Sequence, residues 1–192
     1  MHASKHAKLL GLALTALLVA ACDNGSDDPS PPPPDESHYL VFNINDPGVS
    51  GAETGAYIFV KPNSGKSVKT VSYELAVPSG SPWNGAMVGW VDGGWGADWN
   101  NLTKDGAFYA YSGAISNIAD NGTNGFGLKL AVGGGATGTD ASNGTIWVDN
   151  VVITYTDDTT QTYDFDDGQV PTAFGTKSDN SAATLSLSIG TP

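Results

Sequence analysis

From residue 38 onward, apolar and polar positions alternate in short runs, and the runs are broken by Gly, Asn, Asp, Ser and Pro. Such runs predict strands, because successive side chains in a strand point to opposite faces. The pattern predicts strands over 39–44, 56–61, 70–77, 86–92, 107–116, 125–132, 145–155, 161–166 and 183–189. Phe126, Leu128, Leu130 and Val132 share one face and Lys129 takes the other. Tyr73, Leu75 and Val77 oppose Ser72, Glu74 and Ala76. Around Trp90, Ala86, Val88 and Asp92 oppose Met87, Gly89 and Val91, and either set suits a core. No helical stripe follows residue 22. Nine short strands with turns between them predict an all-β chain folded as a two-sheet antiparallel sandwich.

The first residues follow different rules. Lys5 and Lys8 precede an apolar run from Leu9 to Ala21, too short for the ~20 residues a membrane-spanning helix needs. A positive start, a short apolar stretch and small residues before a cut describe a secretory signal over 1–21. The chain's single cysteine, Cys22, directly follows Val19-Ala20-Ala21, and this VAAC resembles a bacterial lipobox. That resemblance implies lipidation of Cys22 and anchoring to a membrane of the cell envelope, periplasmic or surface-exposed. Residues 22–37 are acidic and proline-rich and read as an extended tether. The domain is expected over 38–192, as a monomer.

Composition removes several chemistries. The chain has 20 acidic against 8 basic residues, a net charge of −12, and no arginine. Nucleic acid and anionic polysaccharides are poor partners for that surface. The histidines are His2, His6 and His38, in the signal and at the linker. A Ser-His-Asp triad and a zinc centre of the His or Cys type are therefore excluded from the domain. No disulfide can form within it. A glycosidase needs two placed carboxylates, and only Glu53 and Glu74 are glutamates in the domain. Asp92 and Asp98 stand beside tryptophans, where hydrogen bonds to sugar hydroxyls explain them more simply.

Four of the five tryptophans, Trp83, Trp90, Trp95 and Trp99, fall in WNGAMVGWVDGGWGADWNN. Their neighbours are Gly, Asp and Asn rather than aliphatics, as in an aromatic platform for sugar rings. This predicts ligand contacts from Trp83, Trp90, Trp95 and Trp99, with Asp92, Asp98 and Asn100 as hydrogen-bonding partners. Tyr111 and Lys129 are weaker candidates on neighbouring strands. Trp83 and Trp90, nearer the strand, are also the two best suited to a core.

Taken together, TVSYELAVP, MVGWVDGGWGADW, GFGLKLAV and IWVDNVVI resemble a β-jelly-roll carbohydrate-binding module, over about 100 residues. YDFDDG (163–168) resembles the opening strand of such modules, although here it follows the closing type. A circularly permuted module, or a second module that stops early, would give this order. Too few residues follow Gly168 to build a second sandwich, which favours one domain completed by its C-terminal strands. The resemblance implies a structural Ca²⁺ held by Asp149 and Asp166, helped by Asp164 or Asp167. It also implies a non-catalytic role, with a neutral polysaccharide such as mannan, xylan or glucan as partner. Two alternatives stay open: a structural or protein-interaction lipoprotein, whose tryptophans dock a partner, and a small glycan-active hydrolase.

Overall fold

Every regular element in the computed structural model, which describes residues 37–47, 55–90, 99–115, 126–132, 142–178 and 180–192, is a β-strand. The all-β antiparallel expectation holds. The strands are β1 (Tyr39–Asp46), β2 (Gly55–Val60), β3 (Val68–Ala76), β4 (Trp83–Trp90), β5 (Asn100–Asn101) and β6 (Phe108–Ala114). They continue with β7 (Phe126–Val132), β8 (Ser142–Tyr155), β9 (Thr160–Tyr163), β10 (Phe174–Ser178) and β11 (Thr184–Gly190). Alternation located nine of these to within a few residues. It missed β5, two asparagines long, and β10, whose FGTKS holds a single large apolar residue.

The strands form two sheets. One runs β11-β1-β8-β3-β6, with β9 also paired to β8, and the other runs β10-β2-β7-β4-β5. All pairings are antiparallel. The fourteen-residue β8 changes partners part-way: its first half pairs β1 and its second half β9. Asn150 sits at that change with a φ of 48°, beside a register shift against β3. Asparagine tolerates this left-handed conformation better than most residues, which accounts for the Asn of IWVDN.

The two sheets face each other across one core. Leu40, Phe42, Val71, Tyr73, Leu75, Ile146 and Val148 meet Ile58, Val60, Trp83, Ala86, Val88 and Leu128. Contact between the sheets is tight enough to require glycine. A β-carbon on Gly113 of β6 would lie 2.2 Å from Cγ2 of Val88 on β4. One on Gly144 of β8 would lie 2.8 Å from Cη2 of Trp83. At the sheet ends, the Asn180 amide donates to the buried Asp46 carboxylate at 2.6 Å, and the Asp46 N–H donates to Asn143 Oδ1. These bonds tie the segment before β11 to the end of β1.

A candidate ligand face on the five-stranded sheet

Strand parity decides which side chains leave the core. In β2, Ala56, Ile58 and Val60 point inward, so Tyr57 and Phe59 take the outer face. Register extends that face across the sheet. Tyr57 stands opposite Lys177 and Lys129, and Lys129 opposite Met87. Phe59 stands opposite Gly175 and Gly127, and Gly127 opposite Gly89. Phe59 and Met87 are half-buried, whereas Tyr57 is 5 % exposed yet outside the core cluster.

Trp99 joins this face from just before β5. A β-carbon on Gly85 would lie 2.0 Å from Cζ2 and 2.1 Å from Cε2 of Trp99, so the indole occupies the space above that glycine. Its Nε1–H donates to Asn101 Oδ1 at 3.1 Å, which fixes the ring. With one side of its ring on the sheet, Trp99 is still 44 % exposed. Phe59 repeats the arrangement near the opposite edge: a β-carbon on Gly175 would lie 2.2 Å from its Cζ. Both rings rest on glycine because any larger residue would displace them.

The predicted site residues separate into distinct environments. The expectation that Trp83 and Trp90 contact a ligand is corrected, because they are 0 % and 3 % exposed and belong to the core. Their Gly and Asn neighbours are compatible with a core indole because small residues let the opposing sheet approach, as Gly144 does over Trp83. Trp95, Asp92 and Asp98 lie outside the described residues, as does Cys22. Asn100 is half-buried, and its amide donates to the Ser112 carbonyl, an anchoring role. Tyr111 is also structural: its ring lies 6.1 Å from that of Tyr73, and its hydroxyl accepts from Thr103 N–H. Lys129 stands between Tyr57 and Met87 in the register of the sheet. Sequence reasoning missed Phe59 and Met87; Tyr57, outward by parity, is itself buried. The available signal was AYIFV in β2, which is apolar at both parities although only one face meets the core.

The acidic residues lie on the other sheet and beyond it. Asp149 pairs with Glu74 across β8 and β3. Burial pushes the Asp149 carboxyl above its ordinary range, against the lowering hydrogen bond from Asn150 N–H, and Glu74, Asp166 and Asp164 push it further up. Asn150 also donates from its amide to Glu74. Asp164, Asp166 and Asp167 are exposed in the turn after β9. This turn corrects the strand expected over 161–166: β9 ends at Tyr163, and Phe165 is buried with a φ of 62°. Among the described residues no group of three or more His, Cys, Asp or Glu side chains is placed to hold a metal.

No family model, curated protein or solved structure matches this chain. Its function must therefore be read from the geometry of the site. Of the two glutamates in the domain, Glu74 lies on the six-stranded sheet, whereas Trp99 rests on the five-stranded one.

Proposed function

We propose that this chain is a non-catalytic glycan-binding lipoprotein, anchored through Cys22, that holds a neutral polysaccharide on the outer face of its five-stranded sheet. The observation that carries the reading is Trp99, an indole seated on Gly85, fixed by Asn101 and still exposed. A flat ring held this way stacks on the apolar face of a pyranose with little loss of freedom. The amide of Asn101 stands beside it for hydroxyl groups. A net charge of −12 favours an uncharged ligand over an anionic one.

The strand order supports a jelly roll as the finer description of the fold. The first eight strands follow β1-β8-β3-β6 in one sheet and β2-β7-β4-β5 in the other, an arrangement of two Greek keys. Read so, no permutation is needed. The later strands add to existing ones: β9 to β8, β10 to β2 and β11 to β1. YDFDDG is then the end of β9 and its turn, not the opening of a module.

Affinity electrophoresis against a panel of mannans, xylans and glucans tests the binding. The protein should be retarded by at least one neutral polymer, and Trp99→Ala should abolish the retardation. Failure to be retarded by any polymer overturns the reading. The anchor is tested separately: Cys22→Ser should move the protein from the membrane to the soluble fraction.

A further inference from the structure

The edge of the six-stranded sheet formed by β11 carries a second proposal. Among the described residues β11 pairs only β1, through seven consecutive positions and without a bulge. No described strand pairs with its other edge, although β10 of the five-stranded sheet lies close by. A cavity of about 410 Å³, lined by Thr176, Lys177, Ser178, Asn180, Ser181 and Thr184 among others, lies next to its first residues. Exposed edges usually carry lysine, proline, inward charges or a bulge that block pairing with another chain. TLSLSIG has none of these, and no charged side chain occurs from Asn180 to Pro192. In a protein of net charge −12, that is the sort of stretch at which two copies can approach.

The other edges differ. The β6 edge is crossed by the segment around β5, where the Asn100 amide donates to the Ser112 carbonyl and Thr103 N–H to the Tyr111 hydroxyl. β10 carries Lys177.

We propose that β11 pairs with β11 of a second copy of this chain, antiparallel about a two-fold axis through Leu187. The strand is self-complementary about that residue. Leu185 would face Ile189 of the second copy, Ser186 would face Ser188, and Leu187 would face Leu187. A two-fold contact requires this kind of reciprocity. Leu185, Leu187 and Ile189 are half-buried and pair with Ile44, Phe42 and Leu40 of the core. Pairing would extend that apolar row into the second copy and leave the serines on the outer side. A single added strand buries less than the ~1,200 Å² typical of stable complexes, so the dimer is weak, with Kd in roughly the micromolar range or above. The two acidic copies repel, so added salt should strengthen the association rather than weaken it.

Sedimentation velocity on the full chain in mild detergent, over roughly 1–100 µM, tests the contact. The wild type should pass from monomer to dimer, at lower concentration in higher salt. Ser186→Glu with Ser188→Glu places like charges directly opposite and should weaken the dimer about tenfold or more. Ser186→Lys with Ser188→Lys should do the same. Mixed together, the two variants should form a one-to-one complex. A wild type that stays monomeric throughout overturns the proposal. So do variants that dimerise like the wild type, or a mixture of monomeric variants that does not associate. Both double variants alter exposed positions, and circular dichroism of each checks that it is folded. Because neither the face around Trp99 nor glycan binding enters this experiment, its outcome is independent of the glycan reading.

Discussion

Gly85→Ala should act as a copy of Trp99→Ala without touching the tryptophan. A β-carbon at position 85 would lie 2.0 Å from Cζ2, 2.1 Å from Cε2 and 2.6 Å from Nε1 of the indole. Carbon atoms in contact sit at about 3.5–4.0 Å, so the ring must lift by roughly 1.5–2 Å. That displacement breaks the Nε1–H bond to Asn101, now 3.1 Å long and worth about 0.5–1.5 kcal/mol. The ring then loses its fixed orientation, and stacking on a sugar loses about 1–1.5 kcal/mol, close to tenfold in Kd. Folding should change little. Glycine within a strand is itself unfavourable by about 0.5–1 kcal/mol relative to alanine, which offsets part of the lost contact. Isothermal titration with the best-retained glycan, alongside urea unfolding, separates the two effects. Trp99→Ala added to Gly85→Ala should cost almost nothing more, since both remove one interaction. Full affinity in Gly85→Ala, beside lost affinity in Trp99→Ala, would refute the role of the glycine seat. Full affinity in both would refute the face itself.

Three further outcomes follow from other contacts. Gly113→Ala puts a methyl 2.2 Å from Val88 Cγ2 and should destabilise by about 1–3 kcal/mol in urea unfolding; adding Val88→Ala should recover part of that loss, and strict additivity would contradict the contact. Tyr73 is 1 % exposed, its hydroxyl has no hydrogen-bond partner among the described residues, and burial pushes its pKa up, so Tyr73→Phe should leave stability unchanged or raise it by up to about 1–2 kcal/mol. Asp149 binds its proton more tightly folded than unfolded, so its ionised form opposes folding at neutral pH and the opposition fades as pH falls through the folded pKa towards the unfolded one. Asp149→Asn should therefore raise Tm at pH 7 and match the wild type in acid, and a lower Tm at pH 7 would contradict the assignment.

The alternation of apolar residues made most strands legible because one face of each meets a shared core. It could not reveal β5, which exists only because Asn100 and Asn101 meet Ala86 and Gly85 on a partner strand. Nor could it reveal the bond from Asn180 to Asp46, which links residues far apart in the chain. The environment of the tryptophans was the larger difficulty. Glycine and asparagine beside an aromatic residue suggest exposure, yet Trp83 has that setting and is fully buried. A short neighbour means only that another group approaches closely, and it does not say whether that group is protein or ligand.

Parity resolves what composition leaves ambiguous. Ala86, Val88 and Trp90 are inward in β4, which makes Gly85, Met87 and Gly89 outward; Ala56, Ile58 and Val60 do the same for Tyr57 and Phe59 in β2. Glycine then serves one physical purpose on both sides of the sheets. Gly113 and Gly144 admit Val88 and Trp83 between the sheets, and Gly85 and Gly175 admit Trp99 and Phe59 onto the outer face. The inward pairs stabilise the fold through close packing. The outward pairs add little to the core, since Trp99 remains 44 % exposed. A large ring held by a hydrogen bond and a glycine seat, yet left open, gains more from a ligand than from folding. For that reason the outward residues, rather than the tryptophan-rich run as a whole, are where substitutions should separate binding from stability.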